Sequence, residues 1–184
     1  MQDQLLKNLK EEFEKTLDHF KGEVAKIHSG RASAGLIEDL GVECYGQHLP
    51  LKAVATISVV GPREFKINVW DEKVVKPVAD ALEKAALGSS PQIEGKVIHL
   101  NLPPLTGEDR EKTVKLLKKK AEEAKISLRN SREKTWDEIQ EFCRQGLLRE
   151  DDKFRLKDKL QELIDEYNKK VEDLSKAKEE EILR

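Results

Sequence analysis

Three stretches of the chain repeat apolar residues every three or four positions, a pattern that predicts three amphipathic helices. The first spans residues 4–28 and stops at Ser29-Gly30-Arg31, where the glycine can end a helix. The second begins after Thr106, a predicted N-cap, and ends at Gly146. The third begins at Glu150-Asp151-Asp152, whose acidic side chains suit a helix N-terminus. The repeating positions are Leu6, Leu9, Phe13, Leu17, Phe20, Val24 and Ile27 in the first helix, Val114, Leu117, Ala121, Ala124, Leu128, Thr135, Ile139 and Phe142 in the second, and Leu156, Leu160, Leu163, Tyr167, Val171 and Leu174 in the third.

The segment between the first two helices follows a different pattern. It contains short runs that are rich in β-branched residues, partly alternate in polarity and are separated by Gly- or Pro-containing turns, as strands are. These runs are LGVECYG (40–46), VATISVVG (54–61), EFKINVW (64–70) and KVIHLNL (96–102). Residues 74–87 read as a short helix closed by Gly88-Ser89-Ser90-Pro91. The pattern therefore predicts a small α+β unit inside an otherwise helical chain.

The order of these elements predicts the domain organisation. None of the three long helices can bury its apolar stripe alone, so we expect residues 1–30 and 105–184 to form a three-helix bundle. Residues 31–104 then form an inserted α+β domain that is joined to the bundle by two linkers. The predicted hinge residues of these linkers are Ser29, Gly30, Arg31, Pro103, Pro104 and Leu105. Proline stiffens one linker and Gly30 loosens the other.

Composition adds a constraint on possible partners. Charged residues make up 38% of the 184 residues and aromatic residues 5%, a balance typical of long charged helices with modest cores. The net charge of −2 provides no general attraction to nucleic acid. The charge is uneven, however, because residues 112–134 carry nine Lys or Arg against three Glu. This segment of the second helix is the candidate for contact with an anionic partner.

The sequence leans against catalysis. It contains no nucleotide-binding glycine motif and no His-Glu-x-x-His motif, and its four histidines lack the spacing of metal ligands. Cys44 and His48 are four residues apart, but they flank a predicted turn and no further ligand accompanies them. Most carboxylates fall on helix faces as partners of lysine. We therefore expect neither a metal nor a cofactor.

The cellular setting can also be inferred. Cys44 and Cys143 lie far apart and outside any motif, so we expect free, buried thiols in a reducing compartment. The N-terminal residues lack the apolar core of a signal peptide, and no apolar run approaches the length of a membrane span. These features indicate a cytoplasmic protein with no membrane partner.

Four cations of the second helix fall on one line, roughly a quarter-turn from the apolar stripe. This basic line consists of Lys118, Lys125, Arg129 and Arg132. Arginine can grip a phosphate with both arms of its planar guanidinium group and can stack on a base. The alternative is an ordinary solvated helix face. We expect few acidic partners along the basic line, which favours the binding hypothesis.

Trp136 falls on the same line and could either stack on a base or cover the edge of the bundle core. We favour the second role. The two residues between the arginines, Asn130 and Ser131, contribute nothing to helix propensity, which also suggests a constraint other than helix formation.

Five segments resemble the ribosome recycling factor family, in order along essentially the whole chain. They are SGRAS (29–33), YGQHLPL (45–51), KINVWD (66–71), PPLTGEDR (103–110) and SLRNSRE (127–133). The resemblance implies a bundle with an inserted β/α/β domain on a double hinge, L-shaped overall. It also implies a monomer that binds the large subunit of the post-termination ribosome and, with elongation factor G and GTP, splits the subunits and releases the mRNA.

In this family, arginines of the bundle contact ribosomal RNA. By motif, this role falls to Arg129 and Arg132, with Arg110 as a weaker candidate, and the basic line adds Lys125 and Lys118.

Two positions depart from the family pattern. His28 stands where the family often has arginine before the hinge, which would make an RNA contact there weaker or dependent on pH. Ser131 replaces a commonly aliphatic residue, which is expected to loosen packing slightly. Two other functions stay open: a helical scaffold that binds protein through its apolar edges, and a catalytic role for the α+β domain. A scaffold would not bind RNA in a salt-sensitive way, and catalysis would need a polar cluster that the sequence does not reveal.

Overall fold

The computed structural model describes residues 2–184, and the chain divides into two compact units. The bundle unit comprises the N-terminal segment through Val24 together with Val114–Glu180. The sheet unit comprises Ala25–Thr113 together with Glu181–Arg184. The domain bounds inferred from the sequence, 1–30 with 105–184 and 31–104, stay a prediction.

The described residues form four α-helices and six β-strands. In chain order these are α1 (Gln2–Ala25), β1 (Gly41–Cys44), β2 (Gln47–Pro50), β3 (Ala55–Gly61), β4 (Glu64–Val69), α2 (Val75–Lys84), β5 (Gln92–Glu94), β6 (Val97–Asn101), α3 (Gly107–Arg144) and α4 (Glu150–Leu183). Three long helices with a small antiparallel sheet unit confirm the predicted α+β class.

The ends of α3 are made by the residues that the sequence suggested. The Thr106 hydroxyl accepts a hydrogen bond from the Asp109 amide at 3.2 Å, and the Asp109 carboxylate accepts one from the Thr106 amide at 3.4 Å. This reciprocal pair satisfies N–H groups that a helix start leaves without partners. At the other end, Gly146 has φ +72°, and its amide donates to the Cys143 carbonyl at 3.0 Å. The left-handed conformation of glycine ends the helix there.

The end of α1 differs from the prediction. The helix ends at Ala25 and not at residue 28. Gly35 lies so close to this end that a Cβ on it would be 2.9 Å from the Ala25 Cβ. Ser29 is buried and donates its hydroxyl hydrogen to Glu181. Tertiary contacts of this turn therefore override the helical periodicity of the sequence.

The three long helices share one apolar core in the bundle unit. Its buried residues are Leu5, Leu9, Phe13, Leu17, Phe20, Ala121, Ala124, Leu128, Ile139, Leu148, Leu156, Leu160, Ile164, Tyr167 and Val171. The predicted stripe is largely confirmed, although Leu5 and Ile164 are buried more deeply than the predicted Leu6 and Leu163. The Tyr167 hydroxyl donates to Glu14 at 2.6 Å, and its ring meets Phe13 edge-on with 5.2 Å between centroids. Burial raises the pKa of Tyr167 because the interior disfavours a phenolate.

The sheet unit contains a four-stranded antiparallel sheet in the order β3-β4-β6-β5 and a separate β1-β2 hairpin. Along β4, Phe65, Ile67 and Val69 are buried and the residues between them are exposed. The buried side chains pack with α2, whose side chains Val78 and Leu82 belong to the same core. The predicted strands at 40–46, 54–61, 64–70 and 96–102 are confirmed as β1, β3, β4 and β6, with somewhat shorter bounds.

Two strands and the length of one helix were not predicted. β2 and β5 have the sequences QHLP and QIE, which carry too few β-branched residues to signal a strand. A two-residue turn at Tyr45-Gly46, with φ of 54° and 73°, sets the pairing of β1 with β2. α2 spans Val75–Lys84 and is shorter than the predicted 74–87.

The cysteines are both free, as predicted, but only Cys44 is fully buried, whereas Cys143 is half-buried. No helix in residues 2–184 combines the length and the apolar character that crossing a membrane requires.

Candidate functional site

The basic line lies on α3 in the bundle unit, beside the residues that this helix contributes to the core. Its members Lys118, Lys125, Arg129 and Arg132 are separated by seven, four and three residues, spacings that return to nearly the same direction at 100° per residue. Lys118 and Arg129 are exposed, and Lys125 and Arg132 are half-buried. The predicted alignment is therefore present.

Three of the four cations form ion pairs. The pairs are Lys118 Nζ with Glu179 Oε1 at 3.0 Å, Lys125 Nζ with Glu172 Oε1 at 2.6 Å, and Arg129 Nη2 with Glu122 Oε1 at 2.5 Å. The expectation that acidic partners would be few is wrong. Glu172 and Glu179 come from α4, which packs beside α3, so the projection of a single helix cannot show them. Glu122 lies on α3 itself, seven residues before Arg129.

These ion pairs contribute little to stability because they are exposed. Half of the Glu172 side chain and 54% of the Arg129 side chain are exposed to solvent. Exposed pairs typically contribute about 0–1 kcal/mol, because water and salt screen them. Lys125 still lowers the pKa of the Glu172 carboxyl, chiefly through their hydrogen bond. The pairs therefore reduce the local charge of the basic line, but a more strongly bound anion can displace them.

Arg132 is the exception on the basic line. Its Nη2 donates a long hydrogen bond of 3.4 Å to the amide oxygen of Gln161, and its buried Nε makes no hydrogen bond. Within residues 2–184, no carboxylate forms an ion pair with Arg132. Its positive charge is the least compensated of the four, which fits a group that meets an anionic ligand.

Trp136 is half-buried and packs against the bundle core, so the preferred interpretation, that it covers the core edge, is confirmed. Arg110 is not part of the basic line. It belongs to the sheet unit, where its Nη1 donates to the Leu183 carbonyl at 2.7 Å. This hydrogen bond satisfies a carbonyl that the end of α4 leaves without a helical partner.

All six predicted hinge residues lie in the sheet unit. Gly30 has φ +81°, a conformation that favours glycine, and its amide donates to His28 Nδ1 at 3.2 Å. Pro103 packs so tightly on Gly88 that a Cβ there would be 2.9 Å from Cγ of the proline. Arg31, Pro103 and Pro104 are exposed, Ser29 is buried, and Leu105 is half-buried.

Sequence reasoning missed the acidic partners that α4 brings to the basic line. Glu172 and Glu179 are seven residues apart on α4, so they recur on one face of that helix. That spacing matches the spacing of Lys118 and Lys125 and could have suggested the pairing. Among residues 2–184, no group of three His, Cys, Asp or Glu side chains could hold a metal ion.

Comparison with known proteins places this geometry in a family. The family model described as ribosome recycling factor matches residues 20–183. A ribosome-recycling factor of Hydrogenobaculum sp. (strain Y04AAS1) is 38% identical, over 99% of this chain and 98% of that relative. The same-named protein of Carboxydothermus hydrogenoformans is 39% identical over 97% of both chains.

Two solved structures are similar over nearly the whole chain. The first, a solution structure of the ribosome recycling factor, has a TM-score of 0.78 and 36% identity, and covers 99% of this chain and 97% of that one. The second has a TM-score of 0.70, 31% identity and full coverage of both chains. It is described as models for the T. thermophilus ribosome recycling factor and the E. coli elongation factor G bound to the E. coli post-termination complex. The family model matches most of the chain, the relatives align with nearly all of it, and the solved structures share its fold. The chain therefore belongs to the ribosome recycling factor family.

Proposed function

We propose that this chain binds the large ribosomal subunit after termination and, with elongation factor G and GTP, splits the subunits and releases the mRNA. Family membership supports this proposal, as does the similar T. thermophilus protein that is described with elongation factor G on a post-termination complex. In the proposal the partner hydrolyses GTP. The chain itself then contributes binding and a shift among conformations, and needs no catalytic group.

The basic line is the proposed contact surface for ribosomal RNA. The observation that carries this part is the charge of Arg132, which no carboxylate in residues 2–184 neutralises, at the end of a line of three other cations. Its planar guanidinium group can bind one phosphate through two hydrogen bonds. Arg129, Lys125 and Lys118 would exchange their glutamate partners for phosphates, and Arg110 makes a secondary contact.

The linkers are the proposed source of flexibility. Ser29, Gly30 and Arg31 on one linker, and Pro103, Pro104 and Leu105 on the other, would let the partner shift the population of conformations without a covalent step. We further propose that the chain works as a monomer in the cytoplasm.

The binding of purified large subunits at several salt concentrations tests the proposal. Each phosphate contact contributes about 0.7–0.9 to the slope of log affinity against log salt, because binding releases counterions. Arg132→Ala should lower this slope by nearly one, and Arg129→Ala/Arg132→Ala by nearly two. Affinity should fall by about 1–3 kcal/mol per removed arginine. Arg132→Lys should restore the slope but not the full affinity, because a point charge cannot reproduce the planar fork.

Lys157→Ala is the matched control. Lys157 is an exposed cation on α4 outside the basic line, so its removal should leave both slope and affinity unchanged. An unchanged slope for the folded double-arginine variant would show that these arginines are solvated charges. Binding that did not depend on salt at all would instead favour the helical scaffold.

A further inference from the structure

A second group of cations lines a cavity in the sheet unit. The cavity has a volume of about 190 Å³, and its walls include Arg31, Arg63, Arg110 and Arg184. We call it the arginine pocket. All the residues that line it belong to the sheet unit, and none belongs to the basic line. Arg31, Arg63 and Arg184 are exposed and Arg110 is half-buried, so four cationic residues border one open cavity and make the local potential positive.

Backbone hydrogen bonds hold two of these arginines side by side. Arg63 lies in the turn between β3 and β4, where its carbonyl accepts from the Leu102 amide at 2.7 Å. The carbonyl of the preceding Pro62 accepts from the Ala32 amide at 2.8 Å, which anchors the chain next to Arg31. Because these hydrogen bonds use only the main chain, the side chains of Arg31 and Arg63 are not needed to form the turn.

The pocket carries little compensating charge from side chains. Glu181 is its one acidic side chain, and that carboxylate already accepts a hydrogen bond from Ser29. Arg110 donates to a neutral carbonyl. In the described part of the chain, the guanidinium groups of Arg31, Arg63 and Arg184 make no hydrogen bond or ion pair. This is the reverse of the basic line, where glutamates hold three of the four cations.

We propose that the arginine pocket binds a backbone phosphate of RNA. The two non-bridging oxygens of a phosphate can each accept several hydrogen bonds, so more than one guanidinium group can share it. A carboxylate carries the same single charge and also has two accepting oxygens, so the choice of RNA comes from the proposed function, which brings this chain against RNA. The inference rests on the proposed function, because the RNA in question is that of the large subunit. It adds Arg31 and Arg63, which lie outside the basic line, to Arg110, which the proposed function already names as a secondary contact.

Arg63 is the residue to test, because Arg110 also holds the end of α4. In the full-length protein, titration with inorganic phosphate should shift the Nε–Hε NMR signals of Arg31 and Arg63. This shift should occur at several-fold lower phosphate concentration than for Arg149, an exposed arginine whose side chain has no partner in the described residues. If the signals of Arg31, Arg63 and Arg149 all shift at the same phosphate concentration, the pocket does not bind phosphate specifically and the proposal is overturned.

Binding to large subunits separates this inference from the proposed function. Arg63→Ala should lower the salt slope by about 0.7–0.9, Arg63→Lys should retain the slope, and Arg149→Ala should change nothing. If Arg63→Ala lowers the slope while Arg129→Ala/Arg132→Ala does not, the pocket stands and the assignment of the basic line fails. If only the double variant lowers the slope, the pocket inference fails. A folded Arg63→Ala variant that binds normally but is slow in the step requiring elongation factor G assigns the pocket to a protein partner, which also overturns the proposal.

Discussion

Glu172 and Glu179 hold the ammonium groups that an RNA phosphate would contact on the basic line. Lys125 and Lys118 are 2.6 and 3.0 Å from these carboxylates. In the proposed function, RNA would therefore have to displace a carboxylate at each lysine before it could bind there. Breaking the exposed ion pair reduces the net free energy gained from the RNA contact. The complex would then be weaker and would dissociate sooner.

This competition predicts a gain of affinity. Glu172→Gln and Glu179→Gln keep the shape of the side chain but remove its charge, so each should tighten the binding of large subunits. The expected gain is about 0.2–1 kcal/mol per substitution, the range for exposed ion pairs, and should appear as slower dissociation. Dissociation rates at two salt concentrations would measure the effect.

Glu162→Gln provides the matched control for this prediction. Glu162 is exposed on the same helix and has no partner among the described residues, so the substitution changes the net charge equally. A gain of the same size from this variant would show that total charge, and not the individual pairs, limits affinity.

At the residue scale, sequence reasoning found the cations but not their surroundings. The alignment of Arg129 and Arg132 follows from the helical repeat alone. The glutamate partners on α4 depend on how two helices pack, and the grouping of Arg31 with Arg63 depends on a strand turn that lies 32 residues further along the chain. The grouping of Arg31 with Arg63 leaves no local signal in the sequence, and the glutamate partners leave only a matching seven-residue spacing.

At the element scale, the start of α3 offers a test of the capping interaction. The hydrogen bond from the Thr106 hydroxyl lowers the pKa of Asp109 below its ordinary value. A carboxyl whose pKa is lower in the folded state stabilises the fold above its unfolded-state pKa. This stabilisation is lost as the pH falls through the folded-state pKa.

Thr106→Ala should therefore bring the pKa of Asp109 back toward its ordinary value and cost about 0.5–2 kcal/mol of stability at neutral pH. Thr106→Ser keeps the hydroxyl and should behave like the native protein. NMR titration of the Asp109 carboxyl with thermal unfolding at pH 7 would measure both effects. An Asp109 pKa that is the same in all three proteins would mean that the hydroxyl is not what perturbs it.

The helical phase of α3 can be tested with two leucines. Leu128 is fully buried in the bundle core, whereas Leu116 on the same helix is 48% exposed. Leu128→Ala should cost about 2–5 kcal/mol, since it removes buried methyl groups and leaves a cavity. Leu116→Ala should cost less than about 0.5 kcal/mol, as should Arg129→Ala. Denaturant unfolding of the three variants measures these differences, and equal losses would refute the assigned faces of the helix.

The long elements were predictable and the short ones were not. The three long helices repeat their apolar residues often enough for one misplaced residue not to matter. β2 and β5, with four and three residues, are strands because they pair with β1 and β6. The end of α1 was misplaced for the same kind of reason, because contacts of Ser29 and Gly35 decide where that helix stops.

At the scale of the whole molecule, each unit has its own apolar core, one built around Phe13 and Tyr167 and the other around Phe65 and Ile67. The sequence predicts a helical domain and an inserted α+β domain, because a β-rich segment interrupts a helical chain, and the bounds of these domains stay a prediction. It did not predict that the predicted linkers would be part of the sheet unit. Pro103 packs on Gly88, and Ser29 bonds to Glu181, so both linkers carry tertiary contacts. Such contacts are invisible in a pattern of Gly and Pro.

These contacts sharpen the test of the linkers. Pro103→Gly would also remove its packing on Gly88, so Pro104 is the better residue to replace, since it is exposed. Pro104→Gly increases the freedom of the linker, and we expect slower recycling with elongation factor G and GTP at nearly unchanged affinity for large subunits. Any loss of stability should be about 0.4–1 kcal/mol, the usual effect of a proline on the unfolded chain.

Pro91→Gly is the control, because it changes the chain in the same way just before β5, outside both linkers. Single-round recycling assays beside binding measurements would separate the two effects. Recycling at the native rate in Pro104→Gly, or an equal slowing in Pro91→Gly, would show that the stiffness of this linker has no part in the function.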